Sequence, residues 1–269
     1  QYARTFDVVG HHGAVTADRS RRSTTLRQNF TYVQGEQFIA HHHAIGGPAR
    51  MWQVLRQPPT TTRMIYRPEL YDPQRMDRAQ PLERWQDHMN QLPAESIRNW
   101  SGRAHILGEL DLRVAWDAMD AATVDHIMHG LEYTLSYRNV EPQGDAWMTL
   151  TTMHTGGAAH SRALLDGLDR FTTRSINQAR VHRSVQVTAF SPMVLRGLEN
   201  SDLDYHAYEI GLTDAEGNVL QNRQMVRAML RARVVELVIE GQDIAEAELV
   251  AMVRHAFAAP TLNTITPAP

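Results

Sequence analysis

The chain has 269 residues, a formal charge of −3, no cysteine, and 27 basic residues, all of them arginine. Without lysine there is no Walker A phosphate loop, protein-kinase site, Schiff-base enzyme or Ser-x-x-Lys acyltransferase; without cysteine there is no thiol nucleophile, disulfide framework, or cysteine-ligated zinc or iron–sulfur site. Acid/base chemistry by Asp, Glu and His, hydroxyl nucleophiles, His/carboxylate metal sites, or no catalysis remain, and the small net charge exerts no overall pull toward nucleic acid.

Residues 1–33 are Thr/Arg-rich, aperiodic and poor in acids, which reads as an extended arm and is similar to the lower end of an organellar transit peptide. Residues 35–57 are expected to be helical in two pieces, broken at Gly46-Gly47-Pro48 and stopped by Pro58-Pro59. Met64-Ile65-Tyr66 reads as a short strand, and Pro81 opens a helix through Leu82, Trp85, His88 and Met89. Residues 1–95 therefore form an appendage of arm and short helices without a core of their own.

From Gly102 the pattern changes. Ile106 to Val114 alternates apolar and polar, as in a half-buried strand. Val124, Ile127, Met128, Leu131 and Leu135 then form one helical stripe, predicting a helix over 119–137 capped by Asp117 or Asp120. Gly130 inside it costs about 1 kcal/mol relative to Ala. Strands are expected at 147–153 and 184–190, with a short helix near 163–168 between them. A hairpin pairs 205–213 with 219–230 across Asp214–Asn218, and 231–239 extends its second strand or starts another. Asp243 with Glu246 resembles a capping box for a last helix carrying Leu249, Val250, Val253 and Phe257, which ends before Pro260. Nothing approaches the roughly 18–20 apolar residues of a transmembrane helix.

One strand, a long helix and a run of antiparallel strands make an α+β order. That order, with Val114-Ala115-Trp116-Asp117-Ala118-Met119-Asp120-Ala121-Ala122-Thr123-Val124-Asp125-His126 and the hairpin around Asp214–Asn218, resembles the hotdog-fold thioesterase superfamily over about residues 102–235. Gly102-Arg103 and Leu110-Asp111 are similar, more distantly, to mitochondrial acyl-CoA thioesterases. The resemblance implies an antiparallel sheet wrapped around one long helix over a core domain at 96–240, with a C-terminal helix and tail at 241–269. It also implies thioester hydrolysis, with a carboxylate activating water or attacking the carbonyl and a helix N-terminal amide polarising the thioester oxygen. On that alignment Asp120 takes the place of the catalytic carboxylate, as general base or nucleophile. Thr123 stands in place of the family's glycine, Val124 in place of its histidine, and His126 in place of its asparagine. Such changes favour a degenerate site.

Each candidate has a plainer reading. Asp120 also suits a helix cap. Asp125, His126 and His129 share a helix face at spacings a divalent metal accepts, yet a solvated face explains them as well. His41-His42-His43 cannot ligate one ion without an unusual loop, because consecutive side chains diverge; His11-His12 is read the same way. No nucleophile elbow surrounds Ser161 or Ser184. Arg223, Arg227, Arg231 and Arg233 suit a phosphate-bearing ligand such as a coenzyme A tail, with Arg223 and Arg227 as substrate-binding residues, or equally the charge that protects an edge strand. Tryptophans 52, 85, 100, 116 and 147 read as core.

The function expected from these residues is a non-catalytic accessory subunit of a larger assembly, mitochondrial and not secreted, without a metal or resident cofactor. It would contact other subunits through its N-terminal arm and C-terminal tail, bind no specific nucleic acid, and be compatible with homo-oligomerisation. The alternatives are an active acyl-CoA thioesterase, whose substrate is a coenzyme A thioester, and a viral or phage shell protein.

Overall fold

Glycines, prolines and short polar runs set the breaks in the computed structural model of the protein, which describes residues 24–71, 79–116, 119–144, 146–181, 186–199, 201–213 and 219–261. In chain order its elements are α1 (Gly35–Arg56), α2 (Thr62–Tyr66), α3 (Ala79–Met89), β1 (Ser101–Leu107), α4 (Glu109–Ala115), α5 (Ala121–Gly130), β2 (Leu131–Val140), β3 (Trp147–Thr155), α6 (Ala158–Val181), β4 (Gln186–Pro192), α7 (Arg196–Glu199), β5 (Asp204–Thr213), β6 (Val219–Leu230), β7 (Arg233–Glu240) and α8 (Glu246–Ala258). The class is α+β, as expected. Two compact units emerge, Gln1–Asp77 with Leu107–Val124, and Arg78–Ile106 with Asp125–Pro269. This division differs from the boundaries expected at residues 95 and 240.

In the first unit, α1 continues a π-helical turn at Phe30–Gln34, so the described end of the expected extended arm is helical. Residues 1–23, with His11-His12, lie outside the described residues. α1 is bent where expected: Gly47 adopts φ 56° and ψ −153°, and Pro48 follows it. Only glycine enters that backbone region at little cost, so the two helical pieces meet at Gly47. The strand expected at Met64–Tyr66 is instead the helix α2, where the Thr61 hydroxyl accepts from the Met64 amide at 3.4 Å. The alternating run 106–114 divides at Gly108 into the end of β1 and the helix α4, with Asp111 accepting from the Gly108 amide at 3.1 Å. Alternation over so few residues does not separate a strand from a buried helical turn.

Phe38, Val54, Met64 and Tyr71 form a small core in this unit. Buried Glu109 joins α2 to α4. Arg113 donates to it at 2.7 and 3.0 Å, and Arg67 at 3.4 Å. Residues before 96 thus contain a core, unlike the coreless appendage expected.

The second unit is built on one seven-stranded sheet in the order β1-β2-β3-β7-β6-β5-β4. The pairings β2–β3, β3–β7, β7–β6, β6–β5 and β5–β4 are antiparallel. The expected hairpin of residues 205–213 and 219–230 is β5 with β6; its connecting residues 214–218 lie outside the described residues. The stretch after residue 230 is a new strand. The chain reverses over Arg231–Ala232, with Arg231 in the left-handed region at φ 53°, and Leu230 faces Arg233.

The helix expected over 119–137 ends at Gly130, and residues 131–140 form β2. Leu131 and Leu135 misled the helical reading because a spacing of four satisfies both an α-helical face and strand alternation. Gly130 sits at the junction for a steric reason: a Cβ there would lie 2.2 Å from the His160 ring of α6.

Helices cover both sheet faces. On one, Leu249, Met252, Val253 and Ala256 of α8, with Trp85 and Met89 of α3, join Leu135, Leu150, Val226, Val235 and Leu237 of the sheet in one buried cluster. On the other, Ile176 of α6 packs with Ile210, Met225 and Val238. Among the tryptophans, Trp85 and Trp116 are buried as expected, whereas Trp52 is 62% exposed. The capping box expected for α8 is absent. Asp243 instead accepts from the Asn222 side chain, and no side chain caps the helix start.

Gly130→Ala is expected to lower the unfolding free energy by about 1–3 kcal/mol, the usual penalty for forcing a group into filled space. Urea unfolding would show it as a lower midpoint with unchanged slope.

Candidate functional site

Asp120 stands at the start of α5. Its Oδ1 accepts from the Thr123 amide at 2.8 Å, and its Oδ2 from the Thr123 hydroxyl at 2.7 Å, on an exposed turn. Oδ1 thus serves a free amide at the helix start, the contact an N-cap makes, while Oδ2 is held by the Thr123 side chain. Asp125, His126 and His129 all lie at the exposed surface of α5. The segment therefore places Asp120 and Thr123 together, but in a capping contact, with His126 exposed further along the helix. His41-His42-His43 diverge as expected: His42 is buried, His41 half-buried and His43 exposed. His42 lies 4.5 Å from Phe38 and 4.9 Å from Tyr71 between ring centroids. Burial, then the Arg50 charge, holds its imidazole below the ordinary range.

Arg223 and Arg227 lie on the α6 face of the sheet, 5% and 2% exposed. The Arg227 Nε donates to Glu236 at 2.8 Å, its terminal nitrogens to Asp169 at 3.0 Å and to the Thr172 hydroxyl at 2.8 Å. The Arg223 Nε donates to Glu240 at 3.0 Å. Both guanidiniums are thus held inside the unit by carboxylates. Strand order also removes the edge-protection reading of this cluster: β6 and β7 are interior strands, and the edges are β1 and β4. Arg233 faces the other way and donates to the carbonyls of Ala256, Phe257 and Ala259 at 2.8–3.4 Å, capping the C-terminal end of α8.

Around Arg227 the register assembles a polar row across five strands: Ser136, Thr151, Glu236, Arg227 and His206 are successive cross-strand neighbours. Asp169 of α6 closes the row from above, meeting both Arg227 and the Nδ1 of His206. Tyr208 also hydrogen-bonds Asp169, and burial first, then the Asp169 charge, pushes its phenol up from its ordinary value. An Asp–His contact is one ingredient of general-base catalysis, but among the described residues no hydroxyl nucleophile hydrogen-bonds His206. The constellation is a structural ion-pair network that seats α6 on the sheet.

Sequence reasoning missed Asp169, His206, Tyr208 and Glu236. One signal was present. Arg227 and Glu236, like Arg223 and Glu240, are equidistant from the Arg231–Ala232 turn, which is what cross-strand ion pairing in a two-residue hairpin requires. The contribution of Asp169 left no such signal, because nothing in the strand pattern locates a residue on a distant helix.

On the opposite face His154 stacks on Tyr133 with ring centroids 4.1 Å apart. Burial, then the neighbouring Arg233 charge, pushes its imidazole down to about 3.

No family model matches the chain, and no curated protein matches it. Among solved structures, the extracellular domain of PknH from Mycobacterium tuberculosis is similar at 12% identity, with a TM-score of 0.33, over 61% of this chain and 80% of that one. A likeness of that degree carries no argument about the site.

Two outcomes test these assignments. Arg227→Met leaves two carboxylates without their cation and should cost about 3–5 kcal/mol in denaturant unfolding; pairing it with Glu236→Gln and Asp169→Asn should recover much of the loss. For His154, the unfolded chain takes up a proton below pH 6.5 while the folded ring stays neutral. The stabilisation is therefore complete above 6.5 and is lost at about 1.4 kcal/mol per pH unit as pH falls toward 3. His154→Phe should make the stability–pH profile shallower across that window.

Proposed function

We propose that the chain is a non-catalytic, thioesterase-like accessory subunit of a larger multiprotein assembly, with the mitochondrion as its expected compartment. The observation that carries the reading is the exposure of large apolar side chains along the π-helical turn and α1: Tyr32 at 73%, Leu55 at 65%, Ile45 at 63% and Trp52 at 62%, with Val33 and Ile39 also exposed. Apolar exposure concentrated on one element marks an interaction surface. The reading places partner contact on this helix as well as on the terminal segments. The capping role of Asp120 supports a non-catalytic chain, since the one carboxylate the thioesterase resemblance offers already serves a backbone end. The hotdog arrangement that accompanies this reading expected its long helix at residues 119–137, where the helix ends at Gly130; the helix lying against one face of the antiparallel sheet is instead the 24-residue α6. The helices α3 and α8 on the opposite face have no counterpart in it.

Tagged chain recovered from its native cells is expected to migrate in a complex larger than itself, and Trp52→Glu with Leu55→Glu to release it. Purified protein should hydrolyse no acyl-CoA above the uncatalysed rate. Turnover that disappears in Asp120→Asn would overturn the reading in favour of a thioesterase.

A further inference from the structure

Residues 82–97 run across α8, and the contacts that hold them there are mostly of one kind. His88 and His255 stack with centroids 3.9 Å apart and 12° between their planes. Each ring donates to the other residue's backbone: His88 Nε2 to the His255 carbonyl at 2.9 Å, and His255 Nε2 to the His88 carbonyl at 2.8 Å. Two helical turns earlier on α8, Glu248 accepts from the amides of Glu95 and Ser96 at 2.6 and 3.2 Å and from the Ser96 hydroxyl. Glu248 and His255 are seven residues apart, so they occupy one edge of the helix. Beneath the segment, Trp85, Met89, Ala94 and Ile97 are almost wholly buried in the sheet cluster.

We propose that residues 82–97 are an acid-released latch, whose two clasps on α8 are the His88–His255 stack and the Glu248 carboxylate. In the neutral pair each imidazole has one N–H, and both are used on backbone carbonyls. Positive charge on both rings would set two imidazolium groups face to face at stacking distance, and like charges so placed repel. Among the described residues no carboxylate pairs with either ring. α3 carries Glu83, Arg84 and Asp87, and none of them pairs with either ring. On α8, Arg254 donates to the Gly197 carbonyl, and Arg233 of β7 adds a further positive charge at the α8 C-terminus. Glu246 accepts from the Arg196 amide, away from the stack. Tyr137 of β2 donates to Asn90 in the segment and stays neutral throughout acid pH.

Both clasps weaken in the same direction. Burial holds the His255 imidazole below its ordinary 6.5 against the hydrogen bond to the His88 carbonyl, which favours the charged ring, so its contribution is present above that value and lost as pH falls. Hydrogen bonding from Ser96 holds the Glu248 carboxyl below its ordinary 4.5, so its contribution is also lost on acidification, at lower pH. The stack therefore opens first and the carboxylate clasp second.

The chain has no cysteine, so a single introduced thiol reports local opening. Ala94→Cys lies under the latch, and Ala228→Cys in β6 reports the sheet itself. Labelling with a pyridyl disulfide, normalised to the unfolded chain, is expected to accelerate at Ala94→Cys by about tenfold or more between about pH 7.5 and 5, with Ala228→Cys nearly unchanged. Adding His255→Gln, or His88→Gln if the first folds poorly, keeps a hydrogen-bond donor but removes the charge and should abolish most of the acceleration. Acceleration that persists in both glutamine backgrounds, or that appears equally at the two thiols, would overturn the latch.

Discussion

Arg227 is almost completely buried in the middle of a seven-stranded sheet, and a guanidinium there is stable only if carboxylates meet it. Glu236 does so from the neighbouring strand and Asp169 from the helix above. The second contact ties α6 to a particular register on the sheet, because Asp169 and Thr172, three residues apart, must both reach one side chain. The apolar contacts of Ile176 with Ile210, Met225 and Val238 then follow one turn further along the same helix face. Hydrophobic burial supplies most of the driving force on this face, while the buried charge specifies where the helix sits.

The opposite face is organised differently. α8 contributes a nearly continuous apolar surface to the sheet, and polar groups work at its ends and edges: Arg233 at its last carbonyls, Glu248 and His255 toward residues 82–97, and Glu246 at the Arg196 amide. Of these, the Glu248 and His255 contacts rest on groups that titrate in water, whereas Arg233, like Arg227 on the other face, carries a permanent charge. The two faces therefore differ in what holds their helices, a buried guanidinium between carboxylates on one and side-chain contacts to backbone groups at the ends and edges of α8 on the other. In the unit formed by Gln1–Asp77 and Leu107–Val124, Glu109 repeats the first device on a smaller scale, one buried carboxylate joining two short helices through Arg67 and Arg113.

Much of the local structure was legible in the residues. Proline and glycine marked the bend in α1, the alternation around residues 214–218 marked the β5–β6 hairpin, and the stripe through Leu249 and Val253 marked α8. The failures share a cause. The runs 106–114 and 131–137 each contain apolar spacings of four, which helix and strand both satisfy, and burial against neighbours decided between them. The candidate site was less legible than the fold. Asp120 was visible both as a carboxylate and as a cap, and the contacts of Thr123 with it supplied the geometry of the cap.

Taken alone, the sequence determined what chemistry is absent: without lysine and cysteine, every permanent cation is arginine and no thiol exists. It left open whether residues 231–239 start a new strand; once the chain turns at Arg231–Ala232, local spacing sets Arg227 opposite Glu236 and Arg223 opposite Glu240. Only the tertiary structure decided that these arginines are enclosed ion-pair partners within the interior strands. That outcome depends on Asp169, more than fifty residues away along the chain, and on the position of β6 and β7 within the sheet. Pairing across such distances is fixed by how whole faces pack, which no local pattern encodes.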